Sequence, residues 1–233
     1  MKNIAFAQGL YATSDTQKEP LGTLRIEPDG RKFRYALAGG ALVAGKMCIM
    51  SVVAANHFDI SPAVAASVGD TTLSLTLGAT AAAADLYKDG YLITHDEAGE
   101  GYCYGIDTNA AAASAGTCEI TLKDGLQVAL TTASEVMLVK NPWSGITHSA
   151  TEESGAAGVA MTAVTSGDYC WVQTGGLGAI LGSATTAIGA PLSLDGTAGA
   201  VAAQANYTMN LVGIAVGHVY VSGEYNPIWL TID

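Results

Sequence analysis

Thr71-Thr72-Leu73-Ser74-Leu75-Thr76-Leu77 alternates leucine with hydroxyl-bearing residues. Successive side chains of an extended chain point to opposite faces, so a period of two predicts a strand with one buried and one wet face. The same pattern recurs at Glu119-Ile120-Thr121-Leu122 and Gln127-Val128-Ala129-Leu130-Thr131, on either side of Asp124-Gly125. Asp-Gly also stands at 29–30, 89–90 and 195–196, and glycine's tolerance of positive φ suits each pair to a tight turn. No segment sustains a 3.6-residue period. The alanine runs Ala81 to Ala84 and Ala110 to Ala113 are four residues long and flanked by Thr, Asp or Ser, too short to pay for helix nucleation. The chain therefore reads as all-β: antiparallel β-sandwich or barrel units with an extended N-terminal arm or hairpin. That hairpin is expected from Thr23–Ile26 and Lys32–Leu37 around Pro28-Asp29-Gly30.

Punctuation suggests four segments: a basic N-terminal docking arm over 1–55, a first β unit over 56–146, a polar linker over 147–158 and a second β unit over 159–233. Within the last, Ser166-Gly167-Asp168-Tyr169 precedes Trp171, and Ser222-Gly223-Glu224-Tyr225 precedes Trp229. Each reads as a turn leading into an aromatic core strand. Gly175-Gly176-Leu177-Gly178 has no helix pattern after it and reads as a bend or bulge.

The 233 residues suffice for a sizeable core. Charged residues make up only 13% of them, about half the usual share, so the surface is short of charge and suited to burial against other subunits. A net charge of −11 argues against a nucleic-acid partner, which needs a broad basic face. The most apolar stretch, Tyr35 to Ala55, is interrupted by Lys46 and glycines, so no membrane span is expected. Lys2 precedes only a short apolar patch broken by Gln8, so synthesis in the cytoplasm without a secretory signal is expected. Cys48, Cys103, Cys118 and Cys170 have no zinc-ligand spacing. Free buried thiols are expected in a reducing compartment, with a Cys103–Cys118 bridge as the alternative if their strands adjoin.

Charge is unevenly placed. Arg25, Arg31 and Arg34 are the only arginines, and seven of the ten basic residues lie in the first 46 positions. That front carries net +3, and residues 47–233 carry −14. Guanidinium groups interleaved with Phe33 and Tyr35 are the mixture enriched at protein interfaces, whereas Glu27 and Asp29 among them are equally consistent with an ordinary exposed hairpin. No catalytic, cofactor or metal site is expected. Gly40-Ala41-Leu42-Val43-Ala44-Gly45-Lys46 matches a phosphate loop up to its lysine, but Met47 replaces the magnesium-binding hydroxyl and no helix follows. His57, His95, His148 and His218 share no ligand spacing. The acidic run His95-Asp96-Glu97 with Glu100 reads as a solvated hairpin tip.

Pro20-Leu21-Gly22-Thr23, the run from Asp29 to Leu42, and Ala44-Gly45-Lys46 together resemble the N-terminal signature of capsid decoration, or cement, proteins of tailed bacteriophages. The resemblance continues through Asp89-Gly90-Tyr91-Leu92, Gly99-Glu100-Gly101 and Leu126 to Thr131. The last third is similar to small head-decoration domains, with Gly189-Ala190-Pro191-Leu192, the Asp195-Gly196 turn, Val212-Gly213-Ile214-Ala215 and Gly223 to Tyr225. The resemblance implies a non-catalytic virion protein on the outer capsid surface, made in the host cytoplasm. Its implied partners are the major capsid protein and itself, as a homotrimer that bridges capsid subunits and stabilises the head. On that view Arg25, Arg31, Lys32 and Arg34 would make electrostatic capsid contacts, with Phe33 and Tyr35 as apolar anchors. A carbohydrate- or receptor-binding knob is the alternative; it predicts exposed tryptophans among Trp143, Trp171 and Trp229.

Overall fold

The structure, a computed structural model, describes residues 6–51, 54–149, 155–206 and 209–233. Among these residues there are sixteen strands and no helix, and so no helix long and apolar enough to cross a membrane. The chain forms two units: residues 1–51 with 142–233, and residues 52–141. The first unit begins with β1 (Leu24–Ile26), β2 (Lys32–Ala38) and β3 (Met47–Ile49). The second holds β4 (Ser61–Pro62), β5 (Thr72–Thr76), β6 (Tyr91–Asp96), β7 (Cys103–Asn109), β8 (Thr117–Leu122) and β9 (Glu135–Val139). The chain then returns to the first unit with β10 (Ser144–Ile146), β11 (Ala156–Ala160), β12 (Tyr169–Leu181), β13 (Pro191–Leu194), β14 (Val201–Ala203), β15 (Gly213–Ala215) and β16 (Tyr225–Thr231).

In the first unit one sheet runs β1-β2-β12-β16-β15-β13-β14, with β10 beside β2 and with β11 joining β12 to β3. Every pairing is antiparallel except β10 on β2. The thirteen-residue β12 organises it: Tyr169–Gly175 pairs with β2 and Gly175–Leu181 with β16. The changeover falls at the glycine cluster, where the register shifts between Gln173 and Gly175. Gly176 there has φ +80°, and a Cβ would lie 3.2 Å from the Arg31 backbone, so this crossing needs glycine. The expected bend at this cluster is therefore a bulge.

The second unit is a six-stranded sheet in the order β4-β5-β8-β7-β6-β9. Its two edges meet where Ile60, just before β4, exchanges both backbone hydrogen bonds with Val136 of β9, at 3.1 and 2.8 Å. The sheet thereby curls round into a small barrel whose two edges touch at this bridge. Leu73, Leu75 and Leu77 all point into the core, where Leu92, Ile106, Ile120, Leu122, Val136 and Leu138 meet them. The period of two in Thr71–Leu77 thus reports its burial correctly. The two alanine runs form no helix and touch through an Ala82–Ala112 bridge.

Three expectations are corrected. The front of the chain is no separate arm: β1 and β2 form the expected hairpin, but β2 is an interior strand held by β12, so its described residues, 6–51, fold with residues 142–233. The expected 147–158 linker falls partly outside the described residues, and β11 begins at its Ala156. Finally, Gln127–Thr131 forms only a single bridge, Leu130 to Ala66, because Leu126 and Leu130 are drawn into the core between the turns.

Candidate functional site

Each arginine of the basic window finds a carboxylate in its own chain. The Arg25 Nε donates to Glu27 Oε1 at 2.6 Å, its guanidinium also reaches the Gln8 carbonyl, and it lies over the rings of Phe6 and Trp171. Arg31 donates to Asp29 Oδ2 at 2.7 Å and sits over Phe33. Arg34 is held best. Its Nε and one terminal nitrogen grip both oxygens of Asp233 at 2.5 and 2.9 Å, the other donates to the Gly22 carbonyl at 2.8 Å, and the group stacks over Trp143. These bonds hold the Asp233 carboxyl below its usual range, and the Arg31 backbone N–H and guanidinium do the same for Asp29. Lys32 Nζ donates to the Asp233 carbonyl oxygen at 3.0 Å.

Phe33 and Tyr35 are 0% exposed. They pack with Trp171, and the Tyr35 hydroxyl donates to Gln8 Oε1 at 2.7 Å. They anchor nothing outside the chain, and that expectation is corrected: period-two alternation in β2 sends them inward while Lys32 and Arg34 emerge. Arg25, Arg31 and Arg34 are paired with carboxylates of their own chain, as the alternating-charge reading anticipated, and Lys32 is tied to a carbonyl oxygen, so the window offers little uncompensated guanidinium charge for docking.

What the first unit does expose is an apolar face. Cross-strand register sets Leu177 of β12 beside Trp229 of β16, Trp229 beside Ile214 of β15, and Ile214 beside Pro191 of β13. All four side chains are exposed, Leu177 at 53% and Trp229 at 51%. Tyr225 and Pro227 of β16, with Ala179 of β12, extend the row. None of these residues is charged. An open cleft of about 440 Å³ lies between Leu177, Trp229 and the Asp29–Arg31 pair. A second, of about 520 Å³, has Val43, Met161, Ala163, Ala179 and Tyr225 among its walls. The three tryptophans do not form a cluster on the surface: Trp171 is fully buried, Trp143 is half-buried and only Trp229 is exposed. The expectation that Trp229 lies in the core is therefore corrected. Tyr225 and Trp229 face outward while Asn226, Ile228 and Leu230 between and beside them face inward. Both faces of β16 are largely apolar, so hydropathy gave no way to tell them apart.

The Gly40–Lys46 segment forms a bridge and a turn that lead into β3, with no helix after them. Leu42 pairs with Val164, and Gly45 turns with φ +74° where a Cβ would strike the Tyr225 ring at 2.6 Å. His148 supports this turn, its Nε2 accepting the Val43 N–H and its Nδ1 donating to the Met47 carbonyl, both at 2.8 Å. That geometry requires the neutral ring, and burial, with Lys46 nearby, holds the His148 pKa below its ordinary 6.5. Below that pH the unfolded chain binds a proton that the folded chain refuses, so stability falls as pH drops through 6.5 and on to the lower folded value. Urea midpoints between about pH 7.5 and 5.5 should fall for the parent and fall less for His148→Gln; an equal fall in both contradicts the assignment. His57 is likewise a core histidine, bonded to the Tyr87 hydroxyl and, at 2.8 Å, to the Thr80 carbonyl.

All four cysteines are free. Cys103 and Cys118 lie on the adjacent strands β7 and β8 but face opposite sides, Cys103 outward and Cys118 inward. The expectation of buried thiols holds for three of the four. Burial pushes the Cys170 thiol up to about 12 and the Cys48 and Cys118 thiols upward as well. An aromatic disulfide reagent should therefore modify one thiol rapidly, lost in Cys103→Ser, and the other three only on unfolding. Two or more fast thiols in the native protein would contradict this.

No family model, curated protein or solved structure matches the chain.

Proposed function

We propose that this protein is a structural component of a phage virion, bound to the outer capsid surface as a homotrimer that bridges major capsid subunits and stiffens the shell. The role is mechanical, not catalytic. The observation that carries this reading is the uncharged row Leu177–Trp229–Ile214–Pro191 across four neighbouring strands. A contiguous apolar patch on an otherwise acidic chain is what an interface leaves exposed in an isolated subunit. The resemblance to decoration proteins and the all-β architecture support the same reading. In this account the row, rather than the arginine window, buries against the capsid, and three copies per trimer multiply the affinity of one modest contact.

The test mixes purified protein with heads of the encoding phage that were assembled without it. Saturable occupancy, and a native mass three times that of the chain, support the reading. No occupancy on such heads overturns it. A second reading rests on one specific observation: Tyr225 and Trp229 share the outward face of β16, roughly 13 Å apart at the rise of a strand, a spacing on which sugar rings can stack. Glycan binding that is lost in Trp229→Ala, together with no binding to heads, would favour that alternative.

A further inference from the structure

The barrel unit brings together three ligand-type side chains from distant parts of the sequence. Ile60 and Val136 form its closing bridge, and both point inward, as does Thr94 opposite Val136. Side chains one step away along each strand must emerge on the outer face. Those residues are Asp59, Glu135 and His95. A register shift between Thr94 and Asp96 makes His95 the extra residue of a bulge opposite Glu135, a device that re-aims a side chain. Asp59 holds φ +53°, a conformation uncommon for a residue with a Cβ.

The side-chain geometry at this seam is that of a ligand set. One donor atom from each of Asp59, His95 and Glu135 lies within 4.8 Å of the other two. His95 Nε2 is only 3.0 Å from Asp59 Oδ1, yet it makes no hydrogen bond among the described residues although it is shielded from solvent. The carboxylate is near the nitrogen but off its axis. That offset is the relation two ligands of one ion have to each other: metal bonds of roughly 2.0–2.2 Å put neighbouring donors of a tetrahedral ion ~3.4 Å apart, with the ion on the nitrogen axis. The Phe58 ring stacks on His95 at 4.9 Å and 8° and fixes its orientation.

We propose that Asp59, His95 and Glu135 bind a divalent first-row cation, zinc foremost, on the outer face of the barrel. An imidazole nitrogen with two carboxylate oxygens suits zinc better than magnesium or calcium, which take all-oxygen shells, and water completes the coordination. The ion joins the segment before β4 to β6 and β9 at the seam where the Ile60–Val136 bridge closes the ring, so it acts as a staple on the barrel. Ligand spacing gave no sign of it, because the three residues lie at 59, 95 and 135.

The test uses the full-length chain carrying Cys103→Ser, which removes the exposed thiol as a rival ligand, after treatment with chelator. Calorimetric titration with zinc chloride alone should show one ion bound per chain and a raised thermal midpoint, with calcium and magnesium giving neither. His95→Ala and, separately, Glu135→Gln should weaken zinc at least about tenfold, since even outer-shell losses cost that much, and should abolish the thermal shift. Metal-free midpoints of both variants are measured beside the parent's, so that loss of the Phe58 stack in His95→Ala is read separately from loss of the zinc-induced shift. Absence of saturable uptake overturns the proposal, as does uptake that both variants retain.

Discussion

Trp171→Ala is expected to destabilise the first unit by about 3–5 kcal/mol, the range for emptying a large aromatic from a core. Trp171 is the largest fully buried side chain, and several contacts depend on it at once. Phe6 meets its ring edge-on at 5.2 Å, Tyr35 at 5.1 Å and 65°, and the Arg25 guanidinium lies over it at 5.7 Å. Its indole N–H donates to the Gln8 carbonyl at 3.1 Å, so truncation also leaves that acceptor with only the longer Arg25 guanidinium bond at 3.3 Å. Arg25 would lose one of the two rings it lies over while keeping Phe6 and Glu27. Denaturant unfolding measures the change, and a loss below about 1 kcal/mol would mean that this cluster does not anchor the front of the chain to β12.

The second large effect is on attachment. Leu177→Asp with Trp229→Asp should reduce occupancy of undecorated heads at least about 100-fold, because truncating central apolar anchors commonly costs about 2 kcal/mol or more each and the new carboxylates must also be desolvated. Both side chains are more than half exposed in the isolated chain, so the variant should unfold at the parent's denaturant midpoint. That separates this result from simple misfolding. Arg34→Ala behaves in the opposite way: it gives up the two-pronged grip on Asp233, so it should lower stability by about 1 kcal/mol, the order for a partly exposed pair, and leave head binding near normal.

Local structure was legible in the sequence because local chemistry decides it. The leucine–hydroxyl alternation of β5, the Asp29-Gly30 turn between β1 and β2 and the bulge at Gly175 each follow from neighbours in the chain, whereas between β13 and β14 the turn falls at Thr197–Ala200, on Gly199, and not at the Asp195-Gly196 pair. Partnerships over long distances left no such trace. Nothing near Phe33 announces that β2 pairs with β12, and the carboxylate that neutralises Arg34 comes from 199 residues away. A count of charges along the chain therefore showed a basic front where the fold has compensated pairs. The apolar face stayed hidden for a different reason: hydropathy separates inside from outside only when one face of a strand is polar, and Tyr225, Pro227 and Trp229 are as apolar as the residues they alternate with. In the sequence His95 stands beside Asp96 and Glu97, whereas the carboxylates that face it, Asp59 and Glu135, are brought there only by closure of the barrel.

Attachment through an uncharged sheet face rather than through arginines has one direct test, the dependence of head occupancy on salt. Charge-driven contacts weaken as the screening length shrinks from about 10 Å at 0.1 M to about 3 Å at 1 M, whereas apolar burial does not. The affinity of the parent protein for undecorated heads should stay within about twofold across that range. A fall of tenfold or more would contradict the account and return the contact to Arg25, Arg31 and Arg34.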